Sequence, residues 1–144
     1  MTSKTGLQDF KVNVKFKLSA LWVSVMFCYI YGDFFSLFVP GRIKGLMNGE
    51  SGAGKITPWT LLAYAILLSL PPVMIFLSLL LRPKANRILN IFFGALFTLV
   101  MLMVVSASIE KWMIFYIYLG VVEIIITCLI ISYAWKWPKQ EVGV

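Results

Sequence analysis

Four long apolar runs constrain the fold of this chain more than any other feature of its sequence. The runs cover residues 18–39, 59–81, 88–109 and 112–135. A helix of about 20 residues crosses the hydrocarbon core of a bilayer. Lipid offers no hydrogen bonds to an open backbone, and a chain this short cannot close a barrel, so each run should be a helix. The sequence therefore predicts an all-α membrane protein, an antiparallel bundle of four transmembrane helices within residues 18–137.

The composition excludes a soluble domain and leaves little material for enzyme chemistry. Hydrophobic residues make up 60 % of the chain and charged residues 13 %, against about 45–50 % and 25 % in soluble domains. There is no histidine, which removes the commonest metal ligand and general base. Cys28 and Cys128 both lie in apolar runs, where free cysteines pack as small hydrophobic residues. We therefore expect no cofactor, no metal site and no catalytic residue.

The distribution of basic residues predicts how the bundle is oriented. Nine of them fall on one side of the predicted membrane: Lys4, Lys11, Lys15, Lys17, Arg82, Lys84, Arg87, Lys136 and Lys139. Four fall on the other side: Arg42, Lys44, Lys55 and Lys111. Because basic residues concentrate on the cytoplasmic side, the tails at 1–17 and 138–144 should lie inside and the loop at 40–58 outside. The net charge of +7 thus reflects topology and contact with the lipid bilayer, and no nucleic acid is expected as a partner.

The boundaries of the runs support finer expectations about packing. Residues 10–18 alternate apolar and polar side chains, a period of two that indicates an extended segment, lying on the lipid surface with its lysines at the headgroups. Short connections after the second and third runs predict that the helices they join are antiparallel neighbours. Tryptophans should anchor both membrane interfaces: Trp22, Trp135 and Trp137 the inner one, Trp59 and Trp112 the outer one.

Residues 49–56 match the phosphate-binding pattern G-x-x-x-x-G-K but do not fit its chemistry. The residue after Lys55 should be Ser or Thr to reach magnesium, and it is Ile56. A phosphate-binding loop also follows a buried strand and opens a helix, whereas this stretch joins two predicted membrane spans. We interpret it as a flexible loop and expect no nucleotide to bind.

Two acids inside the apolar runs are the leading candidates for function. Asp33 lies in the first run and Glu123 in the last, and a charged side chain in hydrocarbon costs roughly 2.5–3.5 kcal/mol on insertion scales. Tyr29 lies one turn from Asp33. Tyr116 and Thr127 lie within two turns of Glu123, on its face of the helix. If the first and last helices are neighbours, the two acids lean towards one depth and would share a proton or a ligand with these three residues.

Four hypotheses follow from such a site. The leading one is an acid-lined, aromatic pocket between the first and last helices that binds or transports protons or a small cationic or amphipathic molecule. The second is a non-catalytic subunit of a larger membrane complex, or of a homo-oligomer. The third is an enzyme that uses both acids on a lipid-soluble substrate. Against these stands a structural role, in which protonated acids form hydrogen bonds across the bundle.

Several boundary motifs resemble a known group of membrane proteins. They are Lys15-x-Lys17-Leu18-Ser19-Ala20-Leu21-Trp22, Tyr29-x-Tyr31-x-Asp33, Arg82-Pro83-x-Ala85-Asn86-Arg87, Glu123 and Tyr133-Ala134-Trp135-Lys136-Trp137-Pro138. This set resembles a family of small uncharacterised bacterial four-helix membrane proteins that is distantly similar to the DoxX-like group. The resemblance implies a multi-pass protein of the bacterial inner membrane. Because DoxX-like proteins include accessory subunits of quinone-linked oxidoreductases, it also implies a redox-accessory role by analogy, although the chain has no recognisable haem or flavin motif.

Overall fold

The computed structural model describes residues 10–51 and 54–138, and it confirms the predicted all-α bundle. Its four long helices are long and apolar enough to span a membrane: α1 (Val14–Ser36), α3 (Pro58–Leu80), α4 (Pro83–Ala107) and α5 (Ile114–Trp135). A short helix α2 (Arg42–Met47) and an antiparallel hairpin of β1 (Glu50–Ser51) and β2 (Gly54–Lys55) connect α1 to α3. A 3₁₀ turn at Lys111–Met113 leads into α5.

The helices do not pack in the order of the sequence. α1 lies between α3 and α5, and α5 packs along both α1 and α4. The first and last long helices are therefore neighbours, which is the condition set above for the candidate site, and α4 and α5 are neighbours as predicted. α3 and α4 make few contacts in spite of their short connection, so the expectation that they are packed neighbours is wrong over most of their length. A short connection fixes only the two helix ends that it joins, and the side chains of α1 occupy the space beyond them.

Contacts at the start of α1 show which helix ends lie together. Lys15 Nζ donates hydrogen bonds to the carbonyl oxygens of Leu79 at 3.1 Å and Leu81 at 2.7 Å, at the end of α3. Lys17 Nζ lies 5.3 Å from the centroid of the Tyr133 ring, near the end of α5. We call this side of the bundle the termini end, and the opposite side, which carries α2 and the two strands, the hairpin end.

The first helix begins earlier than its apolar run suggests. The side chain of Asn13 accepts a hydrogen bond from Lys15 N at 3.0 Å and caps the helix at Val14. The extended conformation expected for residues 10–18 is therefore wrong for residues 14–18, because this cap and the burial of Leu18 favour the helix. Residues 1–9 and 139–144 of the predicted tails lie outside the described residues.

The core of the bundle lies towards the termini end and contains a tryptophan that was expected at the interface. Trp22 is 0 % exposed, and its ring meets that of Phe97 edge to face, with centroids 5.9 Å apart. Its predicted role as an interface anchor is wrong, since a buried indole N–H needs a partner that lipid cannot offer. Six other apolar side chains are completely buried with it: Leu18, Val25, Met74, Phe97, Ile130 and Ala134.

A buried polar cluster joins three helices beside this core. Asn90 Oδ1 accepts hydrogen bonds from Trp22 Nε1 at 2.7 Å and from Ser78 Oγ at 3.3 Å. Asn90 Nδ2 donates to Asn86 Oδ1 at 2.6 Å, and Asn86 Nδ2 donates to the Ser78 carbonyl at 2.6 Å. All four residues are fully buried. This asparagine cluster (Trp22, Ser78, Asn86 and Asn90) connects α1, α3 and α4 by hydrogen bonds that lipid cannot replace.

The orientation of the bundle in the membrane stays a prediction, and cysteine labelling tests it. Ser51 belongs to the hairpin end, and Gln140 lies in the predicted cytoplasmic tail, outside the described residues. If the excess of basic residues sets the topology, an impermeant thiol reagent applied to intact cells labels Ser51→Cys. It labels Gln140→Cys only after the membrane is opened. The parent chain with Cys28 and Cys128 is the control, and the reverse pattern would invert the orientation.

Candidate functional site

The interior of the bundle contains one of the two predicted acids next to a small cavity. Glu123 is 1 % exposed. The cavity lies between α1, α4 and α5 and has a volume of about 10 Å³, which is room for about one water molecule. Its lining consists of Cys28, Tyr29, Gly32, Met101, Tyr116, Leu119, Gly120 and Glu123.

The spacing of residues on α5 explains why this helix supplies the acid. Tyr116, Gly120, Glu123 and Thr127 follow one another at intervals of three or four residues, so they share one helical face. Gly120 lets α4 come close, because a Cβ atom at this position would overlap Val105 Cγ2 and lie 3.2 Å from Met101 Sδ. The face of α5 that carries Glu123 therefore packs closely on α4, and α1 packs on α5 from the other side.

A glycine also allows close packing on the side of the cavity formed by α1. Gly32 is buried, and a Cβ atom added to it would lie 3.3 Å from Cε2 of Tyr116. The Tyr116 ring thus lies directly on the backbone of α1. One turn away, the Tyr29 ring packs edge to face on Phe97, with centroids 6.1 Å apart. These contacts hold both phenols at the cavity that Glu123 also lines.

Two buried oxygen atoms in the site have no hydrogen-bond partner. They are Oη of Tyr29 and Oε1 of Glu123. The Tyr29 phenol and the Glu123 carboxyl group lie close enough to interact as hydrogen-bonding groups, but Tyr29 Oη and Glu123 Oε1 do not reach the full distance and angle of a hydrogen bond. Buried polar atoms in proteins are paired in the great majority of cases. A donor and an acceptor left unpaired beside space for one water therefore form a site where a water or a proton can be held.

The structure places the other predicted acid outside the cavity. Asp33 is exposed, near the end of α1, and does not line the cavity. Its charge interacts with Arg42 of α2 and with the Tyr116 phenol. Of the five predicted site residues, the fold therefore brings Tyr29, Tyr116 and Glu123 together around one cavity. Asp33 lies nearer to the hairpin end.

Thr127, the fifth predicted site residue, is buried but links two helices. Its hydroxyl oxygen lies 2.8 Å from that of Thr98 on α4. It also lies 3.1 Å from the carbonyl oxygen of Glu123, one turn earlier. Thr98 Oγ1 in turn donates to the Gly94 carbonyl at 2.8 Å. The hydrogen bonds of Thr127 are thus used between α4 and α5, and its side chain does not line the cavity.

Five residues that line the cavity were not among the predicted site residues: Cys28, Gly32, Met101, Leu119 and Gly120. Cys28 and Gly32 line the cavity one turn apart on α1, and Gly120 lines it on α5. Spacing offered a signal, because Cys28 and Gly32 flank Tyr29 on the side that faces α5, and Gly120 lies between Tyr116 and Glu123. Small residues at a helix interface mark close approach. Only the packed structure shows that this approach leaves a cavity.

The glycine-rich stretch is not a phosphate-binding loop in the structure. Lys55 is exposed in β2, and α3 begins only at Pro58, where Thr57 caps it through a hydrogen bond from Thr60 N at 3.1 Å. No helix N-terminus therefore directly follows the glycines of the described segment, and a phosphate-binding loop needs one there.

Comparison with known proteins gives a family and no function. A family model described as "Family of unknown function (DUF6326)" matches residues 6–144. No curated protein and no solved structure matches the chain.

Proposed function

We propose that this chain, which belongs to the family of unknown function DUF6326, reversibly binds a proton at Glu123 inside the membrane. One observation carries the proposal. Oε1 of Glu123 and Oη of Tyr29 are buried without hydrogen-bond partners beside a cavity of about 10 Å³. A carboxyl group, a phenol and space for one water are the components of a protonation site.

The energetics of burial support a proton as the ligand. A carboxylate without a partner in a low-dielectric interior is costly, and α5 contains no basic residue that could pair with it. A bound proton converts the Glu123 carboxylate into a neutral carboxylic acid and so removes the buried charge. When the proton leaves, the Tyr29 hydroxyl and one water can turn their hydrogens towards the carboxylate. The site can therefore hold either state of the carboxyl group, and the event is the making and breaking of one O–H bond.

The size of the cavity favours a proton over the larger ligands expected from the sequence. Pockets for small organic molecules have volumes of about 300–1,000 Å³, whereas this cavity has about 10 Å³. An organic cation or an amphipathic molecule would have to separate α1 from α5 to reach Glu123. A proton needs no such movement.

Infrared difference spectroscopy of the protein in lipid tests the proposal. We expect a carboxylic-acid C=O band that changes with pH in the wild type and is absent in Glu123→Gln, because the amide keeps the volume and the hydrogen bonding but cannot titrate. Glu110→Gln is the matched control, since Glu110 is an exposed acid before the 3₁₀ turn. A band that persists in Glu123→Gln, or a wild type without any such band, would contradict proton binding at this residue.

Other proposals rest on sequence alone. They are a bacterial inner-membrane location, cytoplasmic termini, a distant DoxX-like relationship, a redox-accessory place in a larger membrane complex, and homo-oligomers. A proton-binding carboxyl group is compatible with each of them. None of them is needed for the experiment above.

A further inference from the structure

We infer that Glu123 exchanges its proton with the hairpin end alone, through Tyr116 and with Asp33 as the first acceptor at the surface. This inference rests on the proton-binding function proposed for Glu123. It states the side of the membrane from which the proton reaches Glu123, and it gives a role to Asp33, which lies outside the cavity.

The depths of the polar groups form a series that starts at the hairpin end. With a rise of 1.5 Å per residue, Tyr116 lies about 3 Å from the start of α5 and Glu123 about 14 Å from it. On α1, Asp33 lies about 5 Å from the end of the helix and Tyr29 about 11 Å from it. Asp33 and Tyr116 thus lie at nearly the same depth near the hairpin end, and Tyr29 and Glu123 lie about one to two helical turns further in.

Tyr116 connects the two parts of this series. Its ring lines the cavity together with Glu123, and its phenol also interacts with the charge of Asp33. It reaches both because Gly32, the residue before Asp33, has no side chain to push the ring away from α1. The other titratable groups that face Glu123 are Cys28 and Tyr29 of α1, while α4 contributes Met101 to the cavity.

Asp33 has the properties of a group that collects protons at a surface. It is exposed, and the charged group that acts on it is Arg42 of α2. No ion pair within 4 Å connects the two among the described residues, so its oxygens stay free to accept a proton. The nearby Ser36 Oγ donates its hydrogen bond to the backbone carbonyl of Asp33, at 2.7 Å. That hydroxyl therefore does not bond to the Asp33 carboxylate.

Apolar packing separates Glu123 from the termini end, so within the described part of the chain no proton route runs in that direction. Below Tyr29, towards the termini end, lie Val25, Phe97 and Ile130, all completely buried. The asparagine cluster lies beyond them, and its groups are bonded to one another. The hydroxyls of Thr98 and Thr127 lie within hydrogen-bond distance of each other and of carbonyl oxygens of their own helices, so both hydroxyl protons have acceptors there. Along the described residues we find no second series of unpaired polar groups from Glu123 to the termini end.

Each transfer along the route is balanced. A proton from the surface forms an O–H bond on Asp33, and the next transfer breaks that bond as the Tyr116 oxygen accepts a proton and releases its own to the cavity water. The water then passes a proton to the carboxylate of Glu123. No oxidant, reductant or metal takes part, and the reverse sequence releases the proton.

The test measures rate and amplitude separately, with the full-length protein in lipid and infrared detection after a rapid pH jump. We expect Asp33→Asn and Tyr116→Phe to slow the change of the Glu123 band at least tenfold, with its final amplitude unchanged. Both substitutions keep the size of the side chain, and Tyr116→Phe keeps the ring on Gly32. Glu50→Gln and Glu110→Gln, at the same end of the bundle, are the controls and should react at the rate of the wild type.

The outcomes separate this inference from the function on which it rests. If Asp33→Asn and Tyr116→Phe react as fast as the wild type, the route is wrong, while a band that disappears in Glu123→Gln still supports proton binding. If the band does not depend on Glu123, the proposed function itself fails. In vesicles with the protein in one orientation, a fast response to a pH jump on the side of the termini end would likewise exclude the route.

Discussion

Replacing Asn90 by alanine should lower the free energy of unfolding by about 2–4 kcal/mol. Asn90 is the central member of the asparagine cluster, and its removal leaves the indole N–H of Trp22 and the amide oxygen of Asn86 without the partners they have at 2.7 and 2.6 Å. Both groups are completely buried, so water cannot replace the lost side chain. Reversible unfolding in mixtures of a mild detergent and dodecyl sulfate measures the change.

A matched substitution and a second-site change control this prediction. Asn48→Ala, at an exposed position after α2, should change stability by no more than about 0.5 kcal/mol. Trp22→Phe combined with Asn90→Ala should cost less than the sum of the single changes, because the phenylalanine has no N–H to leave unpaired. Strict additivity, or an Asn90→Ala protein as stable as Asn48→Ala, would show that the cluster does not hold the helices together.

Gly120→Ala should destabilise the contact between α4 and α5 by about 1–2 kcal/mol. The added Cβ atom overlaps Val105 Cγ2 and lies 3.2 Å from Met101 Sδ. Valine is stiff at χ1 and cannot turn away without cost. Overpacking costs about 1–3 kcal/mol, and the better helix propensity of alanine returns up to about 1 kcal/mol. The same unfolding experiment measures the net loss.

The control for Gly120→Ala is a glycine-to-alanine substitution at a position with space for the added Cβ atom. Gly45 lies in α2, and a Cβ atom there would meet the Glu50 carbonyl oxygen at 3.6 Å, an ordinary contact. Gly45→Ala should therefore be neutral or slightly stabilising. If Gly120→Ala is equally harmless, the close approach of α4 to α5 is not tight at this point. Because Gly120 lines the cavity, the destabilised protein should also show a shifted Glu123 carboxyl band.

The existence of the four helices could be predicted because hydropathy is a local property. Their ends and neighbours depend on single contacts that the composition of a run does not reveal. α1 starts at Val14 because Asn13 caps it. α3 and α4 diverge because α1 occupies the space beside α3. The indole of Trp22 was assigned to the interface because most membrane tryptophans lie there, and its buried partner is Asn90, 68 residues further along the chain.

The candidate site could be predicted only in part, because its residues are visible in the sequence but their arrangement depends on packing. An acid in an apolar run is visible in the sequence, so both Asp33 and Glu123 were found. Which of them faces the interior depends on the rotation of each helix about its axis, and that is set by packing. Gly120 presses the face of Glu123 against α4. Asp33 follows Gly32 on α1 and does not line the cavity. Gly120 thus helps to place Glu123 in the interior, while Asp33 lies outside the cavity.

The central position of α1 has a consequence for how the bundle is assembled. α1 leaves the ribosome before α3, α4 and α5, yet the polar side chains Lys15, Trp22 and Tyr29 find their partners only on these later helices. Lys15 bonds to the end of α3, Trp22 to Asn90 on α4, and Tyr29 faces Glu123 on α5. The first helix must therefore wait in the bilayer with these groups unmatched while the rest of the chain is synthesised. α1 can therefore be fixed in place only when α3, α4 and α5 have all been made.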